Sequence, residues 1–480
     1  MNITSIGFLV FVTGVVIAFH LIPSPAYRSA VITIANVGFI GSYVTDLQQL
    51  APLAAFLLLG YAVVGLARTR QSGSTLAIGV VLVLCAYVFI KRFSFLDGLP
   101  GLPFPYVVVG LSYILFRILH LAIDARGGHL HEPVRPLAFF NYTCNFLCFV
   151  SGPIQRYQDF IKSAETKIDG RDADRVFNAF SRVIRGYINV IVVSGIANYA
   201  FLHLNQRIFT PGLVPEGACF VVEYGLCALT YTIYLYANFS GYMDIVIGVG
   251  WLLGQDLPEN FNRPFVARNF LEFWSRWHIT LSDWFKTYLF NPVLKTLAEA
   301  FPQRAMVPYL GVSAFFVTFF VMGIWHGTTM VFAIYGLVMG AGASANKLWQ
   351  LVMADRLGRK RYQALSQHPL YSYACRGLTC AYFAVGVTCL WVNMDQLCWL
   401  WGALGPVGWL GAVLSLATAC GAAMFLQDLV IGWSERWRPP AVILSRRGAC
   451  GNLWSAAQIL LVLMVSSFFH KAPEFVYRAF

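Results

Sequence analysis

The sequence predicts an all-α polytopic membrane protein, and three observations lead to this fold class. Hydrophobic residues make up 58% of the 480 positions and only 12% are charged, against about 25% in soluble domains. The apolar residues recur in long runs, and short basic clusters separate those runs. No internal repeat or low-complexity tract divides the chain, so residues 1–480 are predicted to form a single membrane-embedded domain. Soluble, disulfide-rich secreted and disordered classes are excluded by this composition.

The apolar runs are the candidate membrane helices. A helix needs about 20 residues to cross a hydrocarbon core of ~30 Å, so several runs are single spans and some of the longer ones are double. In chain order the runs occupy residues 6–22, 30–45, 51–67, 76–90, 105–123, 137–151, 176–203, 217–254, 306–343, 373–392, 397–426 and 453–469.

The basic residues indicate how the chain is oriented. Lys and Arg number 34 and Asp and Glu number 22, which gives a formal net charge of +12. Basic clusters lie between the runs, and such clusters concentrate in the cytoplasmic loops of membrane proteins. We therefore place them in the cytoplasm and the N-terminus outside. Nucleic-acid binding is not needed to explain the charge, and no nucleic-acid-binding motif accompanies it.

Three runs do not fit a simple span. The run 137–151 is short and has basic residues on both sides, so we expect a re-entrant element that enters and leaves by one face. The run 306–343 also has basic loops on both sides and should rise and return as two halves. Each half has roughly 16 residues, slightly short for a crossing, which would place His326 at the floor of a depression. The run 217–254 is too long for one crossing, and we expect a break at 238–242.

His326 is a candidate general base. It lies between Trp325 and Gly327 in an uncharged apolar stretch. Low-dielectric surroundings favour the neutral imidazole, which is the form that accepts a proton from a hydroxyl group. A histidine that is only hydrogen-bonded within a helix bundle would have the same sequence surroundings, so the position alone does not decide between the two.

A second histidine lies in an aromatic and charged segment, 272–285. Laid on one helix, Trp274 and His278 share a face, and Glu272 and Arg276 lie on another face, spaced for an ion pair. This pattern predicts either an interfacial amphipathic helix or the lining of a slot for a substrate that enters from the cytoplasm.

These motifs resemble the signature of the membrane-bound O-acyltransferases, in the bacterial branch that contains alginate O-acetyltransferase and the D-alanyl transferase of teichoic acid synthesis. The longest is Glu-Phe-Trp-x-Arg-Trp-His-x-x-Leu-Ser-x-Trp at 272–284, and Met-Gly-Ile-Trp-His-Gly at 322–327 resembles the family's second histidine motif. Further similar segments lie at 110–113, 151–157, 239–244 and 258–261, with a looser one at 473–477. The motif-bearing core covers residues from about 100 to 345.

The resemblance implies a ring of about eleven transmembrane helices, plus re-entrant helices, around a central thinned funnel. It implies two catalytic residues: His326, which acceptor and acyl donor reach from opposite sides, and His278, nearer the cytoplasmic face. The predicted substrate-binding residues are Asn262, Arg276, Trp277, Ser282 and Trp325. No metal site and no bound cofactor are predicted, because the acyl thioester donor is a substrate.

The function implied is that of an O-acyltransferase in the bacterial inner (cytoplasmic) membrane, with multiple passes. It would move a short acyl group, with acetyl as the first choice, from acetyl-coenzyme A or an acylated carrier protein across the membrane. The acceptor would be a hydroxyl group on a cell-surface polysaccharide or on a partner protein. The implied partners are the cytoplasmic donor or acyl carrier protein, an extracytoplasmic SGNH-hydrolase-like transferase, the polysaccharide and membrane lipids, with no nucleic acid.

Three other functions stay open at this point. D-alanyl transfer from a carrier protein to a teichoic acid-type polymer is the alternative in the same class, because residues 112–117 resemble that branch. A transporter or flippase without acyl chemistry is suggested by Arg117, Asp124 and Asp244 within apolar segments, although such transporters usually show duplicated halves. A catalytically silent scaffold is the third, and the intact histidine motifs argue against it.

Overall fold

The computed structural model describes residues 1, 3, 5–130, 132–165, 172–303, 305–436 and 449–468. This part of the chain is helical, and its only β pairing is one isolated bridge between Phe261 and Trp277. The predicted all-α polytopic fold class is confirmed. The chain ending that loosely supported the family resemblance, 473–477, lies outside the described residues.

Eight helical segments in the described ranges are long and apolar enough to cross a membrane. They are Leu47–Arg70, Gly73–Lys91, Ala173–Phe209, Gly217–Leu252, Val307–Trp325, Met330–Leu357, Pro369–Leu390 and Met394–Ile431. Two shorter apolar helical segments are Gly7–Leu21 and Ala456–Ser466. The count of about eleven spans, and their arrangement as a ring around a funnel, stay predictions.

The described residues contain α-helices of very different lengths. In chain order they are α1 (Ile6–Leu21), α2 (Pro25–Gly41), α3 (Ala51–Arg70), α4 (Gly73–Lys91), α5 (Leu111–Arg126), α6 (Pro136–Thr143), α7 (Tyr157–Glu165), α8 (Ala173–Tyr187), α9 (Ser194–Phe209), α10 (Gly217–Leu252), α11 (Phe270–Trp274), α12 (Ile279–Phe285), α13 (Asn291–Ala300), α14 (Val307–Trp325), α15 (Met330–Leu357), α16 (Arg359–Gln367), α17 (Pro369–Gly386), α18 (Met394–Arg436) and α19 (Ala449–Phe468). Two π-helical turns, Ile188–Val193 and Lys286–Phe290, continue α8 and α12.

The described residues form two compact units. The first comprises 1–187 and 239–259, and the second comprises 188–238 and the described residues from 260 to 468. The prediction that the whole chain is a single domain stays a prediction. In the first unit α3 packs against α4 and α5, and in the second α14 packs along α15 and α17 along α18.

Arg117 on α5 organises irregular backbone inside the first unit. It is 1% exposed, and its guanidinium donates to the carbonyl oxygens of Tyr142 and Thr143 at 2.9 Å and of Cys148 at 3.1 Å. Tyr142 and Thr143 are the last residues of α6, whose carbonyls have no partner within the helix, and Cys148 lies outside a helix. Such buried carbonyls need donors and a buried guanidinium needs acceptors, so the two satisfy each other. Residues 141–155 are buried throughout. This is the protein-covered, irregular backbone that the re-entrant prediction required, while its entry and exit by one membrane face stay a prediction.

A buried ion-pair network joins the two chain segments of the first unit. Asp244 accepts hydrogen bonds from Arg182 Nε at 3.0 Å and from Arg185 Nε at 2.8 Å. Arg182 also donates to Glu259 at 2.6 Å and stacks over the Trp251 ring at 4.9 Å from its centroid. Arg182 and Asp244 are each less than a tenth exposed, so both charges are compensated where water is scarce.

The three charged residues that suggested a transport path therefore have structural roles within the first unit. Arg117 and Asp244 hold the contacts above, and Asp124 accepts a hydrogen bond from Gln158 Nε2 at 3.1 Å. His120 accepts one from the backbone N–H of Tyr157 at 3.2 Å. The observation that raised the transporter hypothesis is explained by packing.

The expected break at 238–242 is wrong, because α10 runs without interruption over 36 residues. The segment has no proline to remove a backbone donor, and the single Gly241 costs only about 1 kcal/mol of helix propensity. At 1.5 Å per residue α10 is ~54 Å long. It must therefore tilt, or extend beyond a ~30 Å hydrocarbon core.

The two helices of the run 306–343 are longer than predicted. α14 has 19 residues and α15 has 28. The apolar run gives too short a length for α15, because the helix continues through polar residues such as Asn346 and Lys347. At 1.5 Å per residue α14 is ~28 Å long, close to a full crossing of ~30 Å. Helix length therefore gives no reason for a depression at His326, and that step of the sequence argument is wrong.

Candidate active site

Both histidine motifs lie in the second unit, and the first motif is not one helix as predicted. α11 ends at Trp274 and α12 begins at Ile279. Between them His278 has φ 45° and ψ 51°, which is the left-handed conformation. A right-handed helix does not continue through such a residue, so the predicted shared helical face over 272–285 does not exist.

Asn260 holds this break in place. Its backbone carbonyl accepts a hydrogen bond from Ile279 N–H at 3.0 Å. Its side-chain Oδ1 accepts from the N–H and the hydroxyl of Thr280, at 3.0 and 2.7 Å. On the other side of the turn Asn262 N–H donates to the Arg276 carbonyl at 2.9 Å. The backbone is therefore fixed on both sides of His278.

Trp277 anchors the same turn through aromatic packing. Its ring lies 5.5 Å from Phe273 in a stacked arrangement, 5.1 Å from Phe261 edge-on and 4.8 Å from Phe383. His278 itself is 1% exposed. The aromatic contacts of Trp277 therefore pack the turn, and the neighbouring His278 side chain is buried.

The surroundings of His278 keep its ring neutral. Burial lowers the pKa of His278 well below its usual range, and the nearby His326 imidazole lowers that pKa further. Two imidazolium ions at this depth would repel each other and lose their hydration. The fold thus brings the two predicted catalytic histidines into one electrostatic environment although they are far apart in sequence.

His326 closes the C-terminal end of α14. Its Nδ1 lies 2.6 Å from the backbone carbonyl oxygen of Met322. A carbonyl oxygen only accepts, so Nδ1 carries the proton and donates it, and Nε2 keeps its lone pair in the neutral ring. The ring is 2% exposed and packs edge-on against Trp325 at 4.9 Å and Tyr335 at 5.4 Å. The prediction that water and acceptor reach this ring from outside stays a prediction.

Glycines bring the helices next to His326 into close contact. A Cβ at Gly323 on α14 would overlap the backbone of Gly336 on α15, and a Cβ at Gly336 would lie 2.5 Å from the Phe320 carbonyl oxygen. A Cβ at Gly327, in the turn after His326, would overlap the Phe332 ring. The missing side chains allow Tyr335, next to Gly336, to reach the His326 ring.

A cavity of about 230 Å³ lies between the two motifs. Its walls include Trp274 and Ser282, each four positions from His278, and Thr318 and Met322, which precede His326 by eight and four positions. Most of its lining is apolar. The indole N–H of Trp274 is buried and has no hydrogen-bond partner among the described residues.

Two of the predicted substrate-binding residues lie close to this centre. Ser282 lines the cavity, and its hydroxyl donates to the Trp277 carbonyl at 3.3 Å. Trp325 covers one side of the His326 ring. Trp277 does not line the cavity and instead packs the turn, as described above.

The other two lie on the outer side of the turn. Arg276 donates to Glu272 Oε1 at 3.0 and 3.1 Å, which confirms the predicted ion pair, and to the Asn262 carbonyl at 3.3 Å. Asn262 is exposed. The substrate-binding roles of all five residues stay predictions.

Sequence reasoning missed the residues that hold the His326 ring and bond its Nδ1 atom. Met322 contributes a backbone carbonyl, and its helical spacing of four positions could have indicated this contact. Tyr335 comes from the next helix and carries no sequence signal of its own. Asn260 is part of the Pro-Glu-Asn-Phe motif, but its role as a backbone clamp depends on the left-handed turn at His278.

Within the described residues, no group of three or more His, Cys, Asp or Glu side chains could hold a metal ion. The prediction of no metal site and no bound cofactor stays a prediction.

Fold and site together define a polytopic membrane protein with two buried histidines, whose motifs both contribute residues to the wall of one cavity. Comparison with known proteins agrees with this class. Residues 42–383 match the membrane-bound O-acyltransferase family. The chain is 32% identical over 234 residues to the teichoic acid D-alanyltransferase of Bacillus subtilis (strain 168), which covers 48% of this chain and 56% of that protein. It is 27% identical over 359 residues to the probable alginate O-acetylase of Pseudomonas aeruginosa, which covers 70% of this chain and 64% of the relative.

The chain therefore belongs to the membrane-bound O-acyltransferase family. Its relatives are of the two bacterial kinds that the motifs indicated. A further teichoic acid D-alanyltransferase, from Streptococcus thermophilus, is 29% identical over 246 residues, 50% of this chain and 57% of that protein. These matches span between half and two thirds of the length of the curated relatives.

Proposed function

We propose that this protein is an O-acyltransferase that moves a short acyl group from a cytoplasmic thioester toward a hydroxyl acceptor at the cell surface. The observation that carries the proposal is the hydrogen bond from His326 Nδ1 to the Met322 carbonyl. It leaves Nε2 as the basic atom of a neutral imidazole, which is what general-base catalysis on a hydroxyl requires.

The chemical steps then follow from the ring. Nε2 accepts the proton of the acceptor hydroxyl while the oxygen attacks the thioester carbonyl carbon. The tetrahedral intermediate collapses with cleavage of the C–S bond, and the imidazolium returns its proton to the thiolate that leaves. The new ester and a free thiol are the products. His278, kept neutral by burial, adds no competing positive charge beside His326.

The cavity between the motifs supports the route of the donor. Its mostly apolar wall suits a narrow thioester-bearing arm and a short acyl group. Its volume of about 230 Å³ excludes a bulky acyl group. Among the polar residues of its wall, Trp274 and Ser282 would orient such an arm. Acetyl-coenzyme A and an acylated carrier protein are the two donors that we consider.

Acetyl transfer to a polysaccharide is our first choice, and D-alanyl transfer is the alternative. The match to the probable alginate O-acetylase covers 70% of this chain, against 48% for the teichoic acid D-alanyltransferase. The higher identity of the second match, 32% against 27%, keeps that alternative open. We place the protein in the bacterial inner membrane, with an extracytoplasmic SGNH-hydrolase-like transferase as the partner that completes acceptor acylation.

Replacing the general base tests the proposal. In cells whose own copy of the gene is deleted, His326→Gln should lower envelope acylation at least about 100-fold, because general-base catalysis contributes that much or more. Acyl groups released from the envelope by mild alkali are identified and quantified by mass spectrometry, which also separates acetate from D-alanine.

The matched control is His368→Gln, an exposed histidine in the second unit, which should leave acylation at the parent level. Both variants are quantified in the membrane fraction before comparison. Parent-level acylation by a His326→Gln protein of normal abundance would refute the mechanism. Transport of a substrate without any acyl product would instead indicate the flippase function.

A further inference from the structure

A small cavity in the first unit lies among chain segments that are distant in sequence. Its volume is about 90 Å³, well below the ~300–1,000 Å³ of sites that enclose a drug-sized ligand. The cavity therefore has room for one small chemical group rather than for a whole ligand. Its polar lining residues are Arg28, Ser29, Asn141, Ser163 and Gln255, and the other described lining residues are apolar. We call this cavity the Arg28 pocket.

Arg28 gives the pocket its charge. Among the described residues that line the pocket, it is the only one with a charged side chain. Its guanidinium lies over the Phe19 ring, 5.0 Å from the ring centroid. Its Nε atom is buried and has no hydrogen-bond partner among the described residues. Buried charged donors are costly when they are unpaired, so an anion in the pocket would stabilise this guanidinium.

Further hydrogen-bond donors surround the guanidinium. The Ser29 hydroxyl accepts from Asn141 Nδ2 at 3.5 Å, so its own hydrogen can be donated elsewhere. Gln255 Oε1 accepts from Asn145 Nδ2 at 2.7 Å, which leaves the donating Nε2 end of its amide for another contact. The 17-residue helix α2 begins at Pro25 without a side-chain cap, and its N-terminal end carries a partial positive charge. Phosphate oxygens, which only accept, fit this set of donors.

The chain beside the pocket is apolar and exposed. Leu21 and Ile22, which lie between Phe19 and Pro25 of the lining, are 68% and 48% exposed. Ile17, one turn earlier on α1, is exposed as well. Exposed apolar patches of this kind mark contacts with membranes or with other proteins. A ligand with a small anionic head and an apolar tail combines both features of this region.

The end of α1 is fixed to the end of α10. His20 Nε2 lies 2.8 Å from the Leu252 carbonyl oxygen, at the last residue of α10. The chain then enters the basic segment that we expect in the cytoplasm, because basic residues concentrate there. The Arg28 pocket is accordingly expected at the cytoplasmic leaflet. Anionic lipids are attracted to basic sites on that side, and pockets between membrane helices bind their headgroups.

We propose that the Arg28 pocket binds the phosphate group of an anionic phospholipid, whose acyl chains lie along the exposed apolar side chains of α1. The one positive charge of Arg28 matches the one negative charge of a phosphodiester. The described lining has no carboxylate that could accept from the ammonium group of a zwitterionic lipid. The pocket therefore selects phosphatidylglycerol over phosphatidylcholine. A lipid in this position joins α1, α2 and α7, and this role does not depend on the proposed function.

Competition between two lipids tests the proposal. The full chain is purified in a maltoside detergent, stripped of lipid and mixed with equal amounts of phosphatidylglycerol and phosphatidylcholine. Native mass spectrometry counts the lipids that stay bound. We expect saturable binding of one phosphatidylglycerol, with at least about a tenfold preference over phosphatidylcholine, because charge-assisted hydrogen bonds are the strong ones. Arg28→Gln should lose this preference.

The control and a second variant keep the outcome unambiguous. Arg70→Gln removes an arginine of the same unit, in the last turn of α3, that does not line the pocket, and it should keep the parent preference within twofold. Ser163→Leu fills the pocket without changing Arg28 and should also lower phosphatidylglycerol binding. Equal losses in Arg28→Gln and Arg70→Gln would show general electrostatic attraction and overturn the proposal. Parent-like binding by Ser163→Leu, or equal retention of the two lipids by the parent, would overturn it too.

A soluble competitor separates the two possible sources of the phosphate group. Glycerol 1-phosphate carries the phosphate of the lipid headgroup but has no acyl chains. In large excess it should leave phosphatidylglycerol bound to the parent, because the apolar contacts with α1 belong to the lipid alone. Displacement of the lipid by glycerol 1-phosphate would instead identify a site for soluble phosphate esters and refute the lipid site.

Discussion

At the scale of single residues, the two histidines are held in different ways. His326 is held by a hydrogen bond that assigns its proton to Nδ1. His278 is 1% exposed and has a backbone conformation that histidine, asparagine and aspartate tolerate better than most residues. The sequence alone indicates that both rings are buried, but neither the tautomer nor the left-handed turn has a sequence signature.

The pKa of His278 predicts a pH dependence of stability. In the folded protein the pKa of His278 is lowered, whereas in the unfolded chain the pKa is about 6.5. Below about pH 6.5 the unfolded chain therefore takes up a proton that the folded protein does not, and stability falls as the pH falls, by up to about 1.4 kcal/mol per pH unit. We expect the thermal midpoint in detergent to decrease between pH 7.5 and pH 5.5, and His278→Asn to reduce that decrease.

Asparagine is the replacement of choice at this position because it adopts the left-handed conformation. The exposed His368→Gln variant is the control and should keep the pH dependence of the parent. An unchanged slope in His278→Asn would contradict the assignment of this titration to His278.

At the scale of secondary structure elements, close contact between α14 and α15 positions the His326 ring. Gly323 and Gly336 let the two helices touch through their backbones, and Tyr335 thereby reaches the His326 ring. The hydropathy of the run 306–343 predicted a helical pair joined near His326. It could not predict the glycine contact, because that depends on which faces of the two helices meet.

Gly336→Ala should separate α14 from α15. The new methyl group would lie 2.5 Å from the Phe320 carbonyl oxygen, and such overpacking typically costs about 1–3 kcal/mol. We expect a lower thermal midpoint, and reduced acylation that exceeds the loss of protein. The control is Gly311→Ala on α14, where an added Cβ meets nothing within 4 Å. Gly311→Ala should be neutral or slightly stabilising, because alanine is the better helix former. Equal behaviour of the two variants would contradict the role given to the contact.

At the scale of the whole molecule, each unit is assembled from chain segments that are distant in sequence. In the first unit Arg182, from α8, is clamped by Asp244 and Glu259. Removing one member of a buried pair leaves the other charge without compensation. Asp244, which the sequence suggested as part of a transport path, is a member of this ion-pair network.

Arg182→Gln should therefore be strongly destabilising, by about 3–5 kcal/mol, with low abundance in the membrane and a reduced thermal midpoint. Arg175→Gln removes an arginine of the same helix whose partner, Asp256, is 63% exposed at its side chain, and should change stability by at most about 1 kcal/mol. A stable Arg182→Gln protein would show that the first unit does not depend on this clamp.

Composition was enough to predict the membrane class, and the resemblance of the motifs was enough to predict the family. The catalytic roles of the two histidines stay predictions. Prediction from sequence failed where the same local pattern is compatible with two different backbone conformations. The segment 272–285 has helical periodicity, yet backbone pairing with Asn260 and Asn262 interrupts it at His278. The segment 238–242 contains polar residues and glycine, yet α10 continues through it. A cavity of about 500 Å³ is lined by residues as distant in sequence as Arg263 and Asp428, and no linear pattern joins them.

The partner of His326 Nδ1 is a main-chain oxygen rather than a carboxylate. A substitution at position 322 replaces the Met322 side chain, but every amino acid that keeps α14 helical presents the same backbone carbonyl there. Most substitutions of Met322 should therefore leave the hydrogen bond of His326 Nδ1 unchanged. Chemical synthesis offers the way to perturb it: an ester in place of the peptide bond after Met322 would weaken that oxygen as an acceptor while every side chain stays in place.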